Sequence, residues 1–455
     1  MDGSAVLAKF VSELKYEDLP EEVVEWAKLL LLDQLGCEVS LTQFPWAQAA
    51  YKYALSNKSS GESTVRFFGD KLSAQDAAFA NSVFGHSFEI DDEDILTTSH
   101  PGVAVIPTVM AVGEEVGATG EQMILAMVAG YETFSRFCAS YASLRWNGFH
   151  PTGVGAAFGT VAAAAKLYDL DEATTREAFA IATAHAGGNA ECTNSGGTVK
   201  RTLPGAGVAC GLRAVALARF GFTGPANAFS GSKAFPIGIC TEEPDLSFLE
   251  TPFTEQWRIL TIGPKAYCCC AGTHSIIDAC EILRGQMAEK GYTAEDIDHI
   301  VILQNPREFT DVGGNTEPQD VVQAQFSGRF SAALRLVKGG NGPRDYTMET
   351  VNDPLIRELT RTSIYEKDED HSVLVGDNAP SRVTLVMKDG TEMAEQVNVA
   401  TGLFGNPMTK DQVIAKYKDM VDGILPADKA EKLVEVVLDL EHVANAREVA
   451  ELTIA

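Results

Sequence analysis

Over residues 1–265 apolar side chains recur at helical spacing, in stretches such as Glu21–Leu35, Gln122–Ser135 and Ala173–Ala184. Two further stretches, Gly153–Ala165 and Gly205–Ala218, are dense in Gly and Ala. Side chains that small let helix backbones approach closely, which predicts a compact helical body rather than a solenoid. There is no fixed-period repeat and no low-complexity tract. From about Pro264 the texture changes. His274–Lys290 reads as a helix, and the Ile-Asp-His-Ile-Val-Ile-Leu alternation within Asp296–Gln304 reads as a strand. Arg382–Met387 and Glu395–Val399 flank Lys388-Asp389-Gly390, an Asp-Gly hairpin signal. Helical periodicity returns in Thr409–Asp422 and Lys429–Val443. The pattern predicts a mainly α fold: an all-helical domain built from both chain ends (1–265 and 401–455), with a smaller α+β domain inserted at 266–400.

Composition narrows the function classes. The chain has 455 residues, with 63 acidic against 36 basic and a formal net charge of −27. Such a surface repels phosphate backbones and anionic headgroups, so neither nucleic acid nor membrane is expected as a partner. No apolar run reaches the roughly 18–20 residues that span a bilayer, and the first residues lack the pattern of a signal peptide. Nine cysteines, an odd number between Cys37 and Cys280, do not resemble a disulfide framework. A cytoplasmic protein is the expectation.

Four segments concentrate titratable groups among Gly, Pro and small polar residues. The first runs from Gly85-His86 through Glu89 and Asp91-Asp92-Glu93-Asp94 to Ser99-His100-Pro101-Gly102. It could bind a divalent metal, hold a His whose proton is placed by an aspartate, or simply be a solvated acidic loop. The second is Gly148-Phe149-His150-Pro151-Thr152-Gly153. His100 and His150 each precede a proline, the residue favoured at a helix's first position, so each imidazole is expected beside free backbone amides at a helix N-terminus. The third, Gly196-Gly197-Thr198-Val199-Lys200-Arg201 before Pro204-Gly205, lacks P-loop spacing but suits anion binding. The fourth, Lys265-Ala266-Tyr267-Cys268-Cys269-Cys270 to Thr273-His274, has three adjacent cysteines that diverge too much for a metal site and read as buried filler. His274, at a helix start, is the candidate there.

Residues 133–168, 192–241 and 256–277 contain no Asp or Glu. They do hold Arg136, Arg145, Lys166, Lys200, Arg201, Arg213, Arg219, Lys233, Arg258 and Lys265. Because they also contain the second, third and fourth clusters, these segments are expected to converge on one electropositive pocket.

With these residues in view, the sequence resembles the MmgE/PrpD family, which includes 2-methylcitrate dehydratase, cis-aconitate decarboxylase and iminodisuccinate epimerase. The resemblance rests on His-Ser-Phe-Glu-Ile-Asp-Asp with Ser99-His100-Pro101-Gly102, on Gly148 to Gly153, and on Val199-Lys200-Arg201 before Pro204-Gly205. Lys265-Ala266-Tyr267 with Thr273-His274, and Gln323-Ala324-Gln325-Phe326-Ser327, complete it. It implies a helical domain with an inserted α+β lid, a homodimer, a site between the domains, and neither metal nor organic cofactor. Carried over by motif, it implies a catalytic set of Asp91, His100, His150, Lys200 and His274, with Arg201 and Lys265 binding substrate. The chain departs from relatives at Leu203, where they commonly carry His. Phe330 is the nearest match to a site tyrosine of the decarboxylase, and Glu93 falls where that enzyme has a threonine.

The leading expectation is a cofactor-free lyase that eliminates water from a small di- or tricarboxylate, like 2-methylcitrate dehydratase. Such chemistry needs a base, an acid and cations that stabilise an aci-carboxylate. The same groups could serve a cis-aconitate-type decarboxylase or an iminodisuccinate-type epimerase. From other classes, a metal-dependent hydrolase on the acidic cluster and a non-catalytic carboxylate binder are the competing readings.

Overall fold

In a computed structural model, which describes residues 2–369 and 379–455, the chain divides into two compact units. One comprises Met1–Ser87, Asp91–Ile262 and Thr409–Ala455, the other Phe88–Ile90 and Gly263–Met408. Helices account for 58% of the described residues and the sheets are small, so the fold is mainly α, as the periodicity predicts. No described helix is long and apolar enough to cross a membrane.

The first unit is helical because its apolar stripes have somewhere to go. Pro151–Leu167 packs on both Gly120–Ser140 and Leu203–Arg219. Phe134, Phe137, Phe158 and Phe229 are fully buried around it. Each such ring contributes roughly 1.5–3 kcal/mol by leaving water. The small residues at Gly207 and Gly211 are required by contact. A Cβ on Gly207 would lie 2.5 Å from Ala156 Cβ and 2.6 Å from the Gly153 carbonyl, and one on Gly211 would lie 2.6 Å from the Ala157 carbonyl. Contacts advance together along the two helices, from Gly153 with Leu203 to Thr160 with Gly211, so Pro151–Leu167 and Leu203–Arg219 run parallel. Both therefore begin at the same end of the body. The C-terminal helix Lys410–Val421 packs on Glu21–Ser40, where Tyr417 is buried and Lys416 meets Asp33 at 2.6 Å.

The second unit holds a four-stranded sheet ordered Ile364–Lys367, Ile297–Gln304, Ser381–Met387, Glu392–Val397. The first pair is parallel and the others antiparallel. The expected hairpin forms, with Gly390 at φ +88°, a left-handed conformation that favours glycine. Its second strand starts at Glu392 rather than Glu395, because pairing Val386 with Glu392 closes the ladder right after the turn. His274–Lys290 lies on the hairpin strands, and Gly328–Lys338 and Pro354–Thr362 complete the helical layer. Of the expected cysteine fillers, Cys268 and Cys269 are buried and Cys270 partly so, and none of the nine cysteines forms a disulfide among the described residues. Cys268 donates to the Phe88 carbonyl at 2.8 Å.

Candidate active site

The helix Ala74–Gly85 ends just before His86, which is fully buried and whose Nδ1 lies 2.8 Å from Asp91 Oδ2. His100 Nδ1 reaches the same carboxylate at 3.5 Å, approaches Glu93 Oε2 at 3.3 Å, and donates to the Asp92 carbonyl at 2.7 Å. The backbone N–H of His100 donates to Thr152 Oγ1 at 3.1 Å. That bond ties the loop bearing His100 to the first turn of the helix that follows His150. His150 is the N-cap of Pro151–Leu167, and its Nδ1 accepts from the Gly153 N–H at 3.3 Å. The ring centroid of His86 lies 5.2 Å from that of His100 and 6.4 Å from that of His150. Three imidazoles and Asp91 therefore form one cluster.

Lys200 and Arg201 sit in the short turn of helix Thr198–Thr202 that leads into Leu203–Arg219. Arg201 Nη1 donates to the His86 carbonyl at 3.2 Å. Burial lowers the His86 pKa, Asp91 opposes this, and the positive charges of Lys200 and Arg201 add to the lowering. The parallel helix pair thus places His150 and the two cations at one end of the body. Arg145 joins them by donating to Thr98 Oγ1 at 2.8 Å, two residues before His100.

Two expectations need correction here. His100 does not cap the helix that follows it: Pro101 is the N-cap of Gly102–Val116, and the carboxylate of Asp92 accepts the Gly102 N–H at 2.9 and 3.1 Å. A buried carboxylate one strand away reaches those amides better than an imidazole already bonded to the Asp92 carbonyl. Tyr131 also donates to Asp92, at 3.0 Å. Burial pushes the Asp92 pKa well above the usual carboxylate range and the neighbouring Asp91 adds to this, against the pull of Gly102 and Tyr131. Second, the cations of the acid-free segments do not all converge: several are engaged elsewhere. Arg136 donates to Glu132 at 3.0 Å and to backbone carbonyls, Lys166 to the Val11 carbonyl at 2.9 Å, and Arg258 faces Asp94 at 3.7 Å. Arg219 stacks on Tyr168 at 3.9 Å. Acids and carbonyls brought from elsewhere in the chain take them up, which a local charge count does not register.

Lys265 and His274 belong to the second unit. Lys265 Nζ lies 3.4 Å from Glu89 Oε2, with both side chains nearly fully buried. Glu89 sits at φ +55°, a backbone conformation uncommon for a residue with a side chain. His274 is fully buried at the start of His274–Lys290, its ring edge-on to Tyr267 at 5.2 Å. Tyr267 donates to Asp278, which also accepts the Thr401 N–H at 2.7 Å. Phe330 is buried with its ring 6.0 Å from Tyr346. Among the described residues, no group of three or more His, Cys, Asp or Glu side chains is arranged to hold a metal ion.

Residues 5–247 match the model of the MmgE/PrpD N-terminal domain, and residues 267–442 that of the MmgE/PrpD C-terminal domain. The chain belongs to the MmgE/PrpD family. It is 26% identical to a cis-aconitate decarboxylase of Aspergillus terreus over 472 residues, which covers 98% of this chain and 94% of the relative. The cis-aconitate decarboxylases of mouse and human are also 26% identical, over 450 and 454 residues. Each of those alignments covers 96% of this chain, with 90% of the mouse and 92% of the human protein. Within this MmgE/PrpD chain, His86 and Asp92 are the residues that the sequence reading left out of its set. His86 stood in the acidic cluster but its nearness to His150 is tertiary. Asp92 stood in a run of acids that only burial separates.

Proposed function

We propose that this MmgE/PrpD protein is a lyase acting on a small di- or tricarboxylate, and that its reaction is decarboxylation of the cis-aconitate type. The relatives' names favour that reading over the dehydration put first from the sequence. The observation that carries it is the Asp91–His86–His100–His150 cluster beside Lys200 and Arg201. Loss of CO2 leaves an electron pair on carbon, delocalised through the adjacent C=C bond into a carboxylate at its far end. The protein must hold that growing negative charge and deliver one proton to carbon.

Lys200 and Arg201 supply the positive charge, a role worth about 2.7–4 kcal/mol for a single well-placed group. The hydrogen bonds give His100 and His150 different work. His150 accepts at Nδ1, so its neutral ring carries its proton on Nε2 and acts as a hydrogen-bond donor to a substrate oxygen. His100 donates at Nδ1, with Asp91 and Glu93 on that side of the ring. Those carboxylates stabilise its imidazolium form, and the Nε2–H of that form is the proton given to carbon. Dehydration would use the same acid on a departing hydroxide.

The test is incubation of purified protein with cis-aconitate, citrate and 2-methylcitrate in deuterated buffer. The expected result is CO2 from cis-aconitate and one deuterium on a carbon of the product's allyl system. Water loss from a hydroxy acid without CO2 would replace decarboxylation by dehydration. Absence of turnover on all three would overturn both the decarboxylase and the dehydratase readings.

A further inference from the structure

His86 carries a polar atom that the proposed chemistry does not use. Its ring is fully buried and its Nε2 has no hydrogen-bond partner among the described residues, a situation that costs about 1–3 kcal/mol. A leucine would fill the same space without that cost. The other nitrogen is engaged: Nδ1 lies 2.8 Å from Asp91 Oδ2, the oxygen that is also 3.5 Å from His100 Nδ1. Two imidazoles thus address one carboxylate oxygen, and the shorter contact belongs to the ring outside the proposed proton transfer. Lys200 and Arg201 disfavour a positive charge on His86, and Arg201 fixes its backbone by bonding to the carbonyl. The neutral ring then has its single proton on Nδ1, directed to Asp91.

We propose that His86 is a positioning residue: by occupying Asp91 Oδ2 it keeps that carboxylate from capturing the Nδ1–H of His100. His100 therefore keeps its bond to the Asp92 carbonyl, and with it the ring orientation that presents Nε2. Asp91 stays beside His100 with its shorter contact made to His86. Removing the His86 donor frees Asp91 to swing the 3.5 Å contact into a full hydrogen bond and to turn the His100 ring. The charged groups that bear on this arrangement are Asp91 and Glu93 from the loop, Lys200 and Arg201 from the turn of helix, and the Asp33–Lys416 pair, whose aspartate feels Asp91.

The proposal deepens the lyase reading and rests on it for the kinetic arm only. Three variants separate the two ring nitrogens: His86→Asn, whose amide N–H stands near the Nδ1 position, His86→Gln, whose amide stands near Nε2, and His86→Leu, which has neither. The spectroscopic arm follows the His100 imidazole by nitrogen NMR through a pH titration of histidine-labelled protein, assigned with His100→Gln. The expected result is a His100 titration displaced in His86→Leu and His86→Gln and restored in His86→Asn. The kinetic arm, on cis-aconitate, expects kcat lower by about 10- to 100-fold in His86→Leu and His86→Gln with KM changed little, and within a few-fold of the parent in His86→Asn. An unmoved His100 titration in His86→Leu overturns the proposal, as does His86→Gln restoring it while His86→Asn does not. If His86→Leu fails to fold, the Asn and Gln variants alone decide. A restored titration in a protein without turnover leaves the positioning role standing and removes the lyase reading instead.

Discussion

Replacing Asp92 isolates a buried carboxyl whose protonation can be read from stability alone. Its two oxygens accept from the Gly102 N–H at 2.9 and 3.1 Å and from the Tyr131 hydroxyl at 3.0 Å, and the residue is 2% exposed. Asp92→Ala leaves both donors buried and unpaired at about 1–3 kcal/mol each, so a loss of about 2–6 kcal/mol is expected. Asp92→Asn keeps the geometry. Its carbonyl accepts the helix amide and its amide N–H can donate to the tyrosine oxygen. If the raised pKa leaves the carboxyl neutral in the folded protein, this swap costs within about 1 kcal/mol. The pH dependence has a definite sign. In the unfolded chain the group ionises near the ordinary aspartate value of about 3.9, and in the folded protein only at higher pH. Between those two values the folded state binds the extra proton, so this carboxyl's contribution to stability falls as pH rises. The asparagine variant lacks the titration, and its stability relative to the parent must therefore rise with pH across that window. Urea unfolding followed by near-ultraviolet circular dichroism, in steps from pH 5 to pH 8, measures both quantities. A loss in Asp92→Asn as large as in Asp92→Ala, or a gap that widens in favour of the parent as pH rises, would mean that Asp92 is a helix-bound anion and refute the reasoning.

Other expectations follow from the same contacts. Lys200→Ala and His100→Gln should fold and lose about 10²–10³-fold in kcat, judged by steady-state assay on cis-aconitate beside thermal unfolding; full activity in either removes its assigned role. Glu38, buried beside Arg66 at 3.5 Å, has its pKa raised by burial to about 8. It binds a proton on folding between roughly pH 4.3 and 8, so its contribution to stability falls with rising pH over that range, and Glu38→Gln should flatten the parent's decline. A parallel decline in both proteins would show that Glu38 is already ionised when folded. Turnover should also be indifferent to chelators: activity abolished by a chelator and restored by a divalent ion would return the metal-hydrolase reading to first place.

What the sequence disclosed followed the range over which each signal acts. Helices such as Lys410–Val421 and Ala427–Leu438 announce themselves because a buried stripe imposes the 3.6-residue period along the chain itself. The strand Ile297–Gln304 was equally legible, since its alternate residues Ile300, Ile302 and Gln304 are fully buried. Ile364–Lys367 was not, because it is a short edge strand that buries only Tyr365. At the site, His150 was placed correctly as a helix cap by the proline that follows it. The same reasoning misplaced His100, because a proline marks a helix start but does not say which side chain reaches the amides. Only the tertiary contact from Asp92 settles that. His86 escaped for a similar reason: its worth lies in sharing an oxygen with a residue fourteen positions further on.

The parallel packing of Pro151–Leu167 and Leu203–Arg219 carries an electrostatic tension of its own. Helix dipoles side by side in the same sense oppose one another, each presenting about half a positive charge at its start. The contacts at Gly207 and Gly211 leave no room for a Cβ between these two backbones, and Lys200 and Arg201 load more positive charge onto the same end. An anion lodged there relieves repulsion between two pieces of the scaffold as well as binding to them. The protein should accordingly behave as one that is fastened by its substrate: polycarboxylates should raise the temperature at which it unfolds, and the empty end should be where thermal opening begins.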